Sequence, residues 1–88
     1  MPAITMYATG YCPYCTHAER LLRQKGVTAI DKIRIDEHPE RRAEMMARTG
    51  RRTVPQIYIG ERHVGGYDDL VMLDRAGGLD PLLRAEAV

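Results

Sequence analysis

The residues Ile4-Thr5-Met6-Tyr7-Ala8-Thr9-Gly10-Tyr11-Cys12-Pro13-Tyr14-Cys15 carry two structural signals side by side. Ile4 to Ala8 combines β-branched and aromatic side chains and predicts a short strand that stops at Thr9-Gly10. Pro13 fits the first turn of a helix, where a missing backbone N–H has no partner to lose. Beyond it, Ala18, Leu21 and Leu22 fall at helical spacing among Glu19, Arg20 and Arg23, and Lys25-Gly26 supplies a stop. A pair of cysteines therefore sits where a strand hands over to a helix.

Further along, Ala29 to Ile35 alternates imperfectly between apolar and polar residues and predicts a second strand. Asp36 to Pro39 reads as a turn, and a second helix follows through Glu40, Arg41, Glu44, Met45 and Met46 towards Thr49-Gly50. Gln56 to Ile59 predicts a third strand. Gly60-Glu61 is a tight connection to a short fourth strand, Arg62-His63-Val64, so the two form a hairpin. Gly65-Gly66 breaks the chain. Asp68 or Asp69 is expected to cap a third helix containing Leu70 and Leu73 and ending at Gly77-Gly78. Asp80-Pro81 opens a last short helix with Leu82 and Leu83. The order, βαβα followed by ββα, is that of an α/β fold. Its first half implies a parallel strand pair with a crossover helix, and its second half adds an antiparallel hairpin.

Eighty-eight residues and 10.0 kDa suit one domain spanning residues 1–88. The chain is 44% hydrophobic and 28% charged, a balance that excludes disorder as its main state. Thirteen basic residues against twelve acidic ones give a net charge of +1, so no nucleic-acid partner is expected. The first residues lack the features of a signal peptide, and no apolar run approaches the roughly 18 residues of a membrane span. A cytoplasmic location without membrane attachment is the expectation, and there disulfides tend to be transient and chemical.

Cys12 and Cys15 are the only cysteines and cannot staple a fold as a many-bridge framework does. The thiolate is the species that attacks a disulfide. A helix N-terminus favours it through partial positive charge and unpaired N–H groups. The Cys-x-x-Cys spacing places Cys12 at that terminus, as the attacking nucleophile. Cys15 lies one turn inside, as the resolving thiol, deeper and harder to ionise. Two other readings compete. A zinc site would need His17, His38 or His63 to replace a missing second cysteine pair, so no metal is expected. A purely structural short-loop disulfide does not suit the cytosol.

Three motifs together resemble the dithiol glutaredoxins, most closely the bacterial glutaredoxin 3 type. They are Cys12-Pro13-Tyr14-Cys15, Thr53-Val54-Pro55 and Gly65-Gly66-Tyr67-Asp68-Asp69, and the resemblance runs from Ile4 to Leu83. It implies a thioredoxin fold, a four-stranded mixed sheet flanked by helices, with a short C-terminal helix added. It also implies a monomeric enzyme, a glutathione-disulfide oxidoreductase that reduces protein–glutathione mixed disulfides and protein disulfides. Glutathione would be the electron donor, no cofactor would be bound, and ribonucleotide reductase is among the protein partners of the family.

The resemblance further implies a cis Val54–Pro55 bond facing the dithiol, with the Val54 backbone pairing with the cysteinyl part of glutathione like an added strand. Gly66, Tyr67 and Asp68 would hold the γ-glutamyl end, whose ammonium and carboxylate match an acidic side chain and a helix N-terminus. Asp68 and Asp69 can share the work, one capping while the other binds. Arg51 or Arg52 would meet the glycyl carboxylate, with Arg51 at the family's frequent position. Tyr14 and Thr53 would line the groove.

The chain departs from the family at Thr9, where many members carry lysine. That leaves activation of Cys12 to the helix terminus and to Arg51 or Arg52. The thioredoxin-like carrier and the iron–sulfur scaffold remain alternatives, the latter disfavoured by Pro13-Tyr14. Tyr7 and Met45-Met46 read as packing residues, and Arg41, Arg42, Arg48 and His63 as surface. His17 reads as an incidental helical histidine or as one that tunes Cys15.

Overall fold

A computed structural model describes residues 2–85. The elements run β1 (Ile4–Ala8), α1 (Pro13–Gln24), β2 (Asp31–Arg34), α2 (Pro39–Thr49), β3 (Gln56–Ile59), β4 (Arg62–Gly65), α3 (Tyr67–Arg75) and α4 (Leu79–Arg84). The sheet order is β2-β1-β3-β4. β1 pairs in parallel with β2 and antiparallel with β3, and β3 pairs antiparallel with β4. The expected βαβαββα order and mixed four-stranded sheet are therefore present, with α4 as the added short helix.

Strand alternation splits the core between the two faces of the sheet. Ile4, Met6 and Ala8 of β1 and Ile57 and Ile59 of β3 pack with Cys15, Ala18 and Leu22 of α1, with Leu70 of α3 and with Leu79 and Leu83 of α4. The intervening Tyr7 and Tyr58 point the other way and pack with Ile35 and with Met45 of α2. Truncating a fully buried side chain such as Leu22 to alanine would cost about 2–5 kcal/mol.

Local chemistry sets the element ends. Pro39 opens α2 at its first position, and Gly50, at φ 71°, closes it in the left-handed conformation. β2 is shorter than the expected Ala29 to Ile35. Its ladder starts at Asp31 opposite Thr5 and ends at Arg34 opposite Ala8, where β1 itself ends. The last helix opens at Leu79, one residue before Asp80.

Two surface assignments are corrected. Arg48 Nη1 donates to the Tyr7 hydroxyl at 3.0 Å, and its guanidinium lies 4.2 Å from the Tyr58 ring centre. A cation that stacks on an aromatic face and bonds a buried hydroxyl is not simply solvated. Tyr7 OH in turn donates to Glu44, which Arg41 also holds. His63 is half-buried, tilted against Tyr58, and its Nε2 lies 2.8 Å from Oε1 of Gln56. Met45 is buried while its neighbour Met46 is exposed.

Candidate active site

Cys12 is the N-cap of α1, with extended backbone (φ −107°, ψ 103°). Its Sγ accepts the Cys15 backbone N–H at 3.1 Å, the role a serine or aspartate oxygen plays at most helix starts. Pro13 follows at the first helical position, and no acidic side chain stands in the first turn to oppose negative charge on sulfur. Both cysteines are free thiols, Cys12 half-buried and Cys15 buried.

The Cys15 thiol is pushed up to about 12, first by burial and then by its hydrogen bond and charge interaction with Cys12. The Thr9 backbone N–H and the Lys32 charge oppose that shift. The depth and reluctance to ionise expected of Cys15 are both present. His17 does not act on it. The His17 ring instead lies 6.4 Å from that of Tyr14 and 5.7 Å from that of Tyr67, the two tyrosines being 6.2 Å apart.

On the other side of Cys12, its thiol reaches the Val54 carbonyl oxygen at 3.7 Å, a long S–H···O contact. The Val54–Pro55 bond is cis, as expected. A cavity of about 380 Å³ opens here. Its lining includes Tyr14, Arg51, Thr53, Val54, Pro55, Gly66, Tyr67 and Asp68, which is every groove residue named from the sequence. Cys12 stands beside this cavity without lining it. Arg52 does not line it, which separates the two arginines. Among the described residues neither arginine bonds the Cys12 sulfur, whose backbone partners are the Cys15 N–H and the Val54 carbonyl.

Asp69 also lines the cavity. It is not the N-cap of α3, and neither is Asp68. Gly66 is the N-cap, and Asp69, at the third helical position, accepts the Gly66 N–H at 2.8 Å. The same carboxylate oxygen takes Arg51 Nη1 at 2.7 Å, so one aspartate ties the α3 terminus to the segment after α2. Arg51, then the Gly66 N–H, hold the Asp69 carboxyl below its ordinary value. An acidic residue three positions after a cap is a readable sequence signal, and it would have singled out Asp69 once the helix start was set at Tyr67. Gly65 admits this arrangement. At φ 114° it adopts a conformation that suits glycine, and a Cβ there would stand 2.4 Å from Asp69 Oδ2.

A reactive-looking dithiol at a helix start, a cis-proline segment across from it and a groove of mixed charge now stand together. The glutaredoxin family model matches residues 4–64. The chain belongs to the glutaredoxin family. A glutaredoxin of Neisseria meningitidis serogroup A is 57% identical over 84 residues, covering 96% of this chain and 99% of that protein. Glutaredoxin 3 of Escherichia coli K12 is 49% identical over 84 residues, covering 96% and 100%. Among solved structures, a buckwheat glutaredoxin–glutathione complex superposes with a TM-score of 0.85 at 32% identity, over 93% of this chain and 76% of that one. A solution structure of glutaredoxin from Brucella melitensis gives 0.83 at 45% identity, over 100% and 95%. The fold is accordingly the thioredoxin fold, and the glutaredoxin chain is a thiol–disulfide oxidoreductase.

Proposed function

We propose that the chain is a glutathione-dependent oxidoreductase that reduces protein–glutathione mixed disulfides and protein disulfides through Cys12 and Cys15. The observation that carries this is the juxtaposition at Cys12. The helix-terminal N–H of Cys15 faces its sulfur on one side, and on the other the Val54 carbonyl borders a cavity lined by both Arg51 and Asp68. Glutathione offers a sulfur, a peptide backbone, two carboxylates and an ammonium, and Cys12 together with this lining has a partner for each. The solved buckwheat relative is a glutathione complex.

In the proposed reaction the Cys12 thiolate attacks the glutathione sulfur of a mixed disulfide, and the substrate protein leaves as its thiolate. Val54 pairs through its backbone with the cysteinyl unit. The N–H groups of Tyr67 and Asp68 at the start of α3 receive the γ-glutamyl carboxylate, and the Asp68 carboxylate receives the ammonium. The guanidinium of Arg51, already oriented by Asp69, meets the glycyl carboxylate. Tyr14, Thr53, Pro55 and Gly66 shape the walls. A second glutathione thiolate then attacks the Cys12-bound sulfur, releasing oxidised glutathione and the Cys12 thiolate.

With a protein disulfide, Cys12 forms the mixed disulfide and Cys15 displaces the substrate, leaving a Cys12–Cys15 bridge. Two glutathiones reduce that bridge and supply both electrons. Capture of Cys12 also removes its own contribution to the raised Cys15 pKa, so the resolving thiol is easier to ionise when it is needed. The proposal has residues 1–88 working as one monomeric unit in the cytoplasm, with no resident cofactor and with glutathionylated or disulfide-bearing proteins as partners.

A glutathione-reductase-coupled assay tests it. Cys12→Ser should abolish turnover of a peptide–glutathione mixed disulfide, whereas Cys15→Ser should retain it and lose most activity on protein disulfides. Absence of turnover with glutathione, together with reduction by thioredoxin reductase, would refute the reading.

A further inference from the structure

Gln56 is the one buried side chain among the described residues that carries an amide or a charge, with no measurable exposure, and no catalytic step uses it. It begins β3 immediately after Pro55 and lies opposite Tyr7 on the α2 side of the sheet. Its Nε2 donates to the Thr53 carbonyl at 3.0 Å and lies 3.3 Å from the Thr53 hydroxyl. Its Oε1 lies 2.8 Å from Nε2 of His63.

These contacts settle the chemistry of the chain of bonds. The Thr53 carbonyl only accepts, so the Gln56 atom facing it is the amide nitrogen and the atom facing His63 is the amide oxygen. That oxygen only accepts, so His63 carries its proton on Nε2. The half-buried His63 ring is set by Tyr58, whose ring centre is 5.1 Å away. Burial, then the Arg51 charge, favour the neutral ring, with Asp69 opposing and Arg48 adding to the effect.

The segment that Gln56 grips has few other ties. Among the described residues, the hydrogen bonds reaching the carbonyls of Thr53 and Val54 come from Gln56 and from the Cys12 thiol. We propose that Gln56, held in turn by His63, is a positioning residue that fixes Thr53-Val54-Pro55 where the Val54 backbone meets a glutathionyl substrate. An apolar side chain would fill the same buried space. Only an amide spans both Thr53 and His63, and placing a polar group at zero exposure is favourable only when its bonds are made.

The inference rests on the glutathione reading, and its test keeps the two apart. The first arm is wild-type turnover of a peptide–glutathione mixed disulfide with glutathione reductase. Without that turnover, the glutathione reading itself fails. Given turnover, Gln56→Met should raise KM for the mixed disulfide roughly tenfold, the scale of one or two lost hydrogen bonds, with kcat changed less than twofold. Alkylation of Cys12 by iodoacetamide, which needs no groove, should stay at the wild-type rate. His63→Phe should copy the Gln56→Met pattern. His63→Gln, whose side-chain amide can donate to Gln56 Oε1, should restore a KM near wild type. An unchanged KM in Gln56→Met or His63→Phe would overturn the proposal. So would equal losses of turnover and alkylation, which mark general disruption of the fold, or a His63→Gln variant no better than His63→Phe.

Discussion

Replacing Gly65 by alanine probes the groove through Asp69 and Arg51, which line it and crowd this glycine. Two costs arise. The first is conformational, because φ 114° lies in a region L-residues rarely occupy, worth about 1–2 kcal/mol. The second is local. The new Cβ would stand 2.4 Å from Asp69 Oδ2 and 3.0 Å from Arg51 Nη1. The carboxylate must swing away, although that oxygen accepts both the Gly66 N–H at 2.8 Å and Arg51 at 2.7 Å. Losing the cap costs about 1 kcal/mol. Losing a pair that is nearly half exposed adds no more than about 1 kcal/mol. The sum is about 2–4 kcal/mol.

Gly26 is the control. It also has positive φ, 95°, but nothing lies within 4 Å of its would-be Cβ, so Gly26→Ala carries the conformational cost alone. Gly65→Ala should therefore unfold about 1–2 kcal/mol more easily than Gly26→Ala. For a domain of this size that is a melting difference of roughly 4–16 °C, readable by circular dichroism. It should also raise KM for a glutathione mixed disulfide, whereas Gly26→Ala should not. Equal melting temperatures for the two variants would show that the Asp69 contacts contribute nothing.

Four further outcomes follow from individual contacts. Tyr7→Phe removes a buried hydroxyl held by Glu44 and Arg48 and should cost about 1–2 kcal/mol in urea unfolding while turnover is kept; unchanged stability would count against the network. The carboxyls of Glu19, Glu44 and Asp69 are held low, by Lys32, by the Tyr7 hydroxyl and by Arg51 respectively. Their stabilisation is complete above the unfolded carboxylate range near pH 4 and is lost as pH falls through the lower folded values, so the carboxylates' own contribution should be full from about pH 5 upward and the melting temperature should drop below pH 4. His63 has a lowered pKa from burial and Arg51, so the unfolded chain takes up that proton first, and stability should slip slightly between about pH 7 and pH 5 in wild type but not in His63→Gln. Closure of the Cys12–Cys15 bridge from a Cys12 mixed disulfide should quicken with pH through neutrality, because burial still raises the Cys15 thiol; a rate that levels off near pH 7 would contradict it.

The sequence was most legible where one residue type has one physical use. Pro13 and Pro39 open helices, Gly50 ends one, and two cysteines in that setting point to exchange chemistry. Eight of the nine residues lining the groove are legible because their motifs are contiguous and resemble a known family, while Asp69 reads only as an alternative to Asp68. Features made by distant partners were not legible. Arg48 reads as solvated until Tyr58 and Tyr7 come beneath it, and His63 reads as surface until Gln56 is found buried behind it. An aspartate reads as the cap of α3 because no side-chain pattern marks the helix start at Tyr67. With the start at Tyr67, Asp69 falls at the third helical position and serves both Gly66 and Arg51. The alternation predicts β2 longer than it is, because its ladder stops at Arg34 opposite Ala8, where β1 ends.

The contact between Cys12 and Val54 spans 42 residues of chain, and the central ladder joins Ile4 to Ile59. During synthesis the two thiols therefore leave the ribosome well before the half of the chain that would tell them what to react with. Until β3 slots in beside β1 they are ordinary cysteines on a nascent polypeptide, open to any oxidant and selective for none. Substrate discrimination therefore needs β3 in place beside β1, and it is lost when that pairing opens. An unfolded population should thus show itself as indiscriminate thiol reactivity as well as lost enzyme.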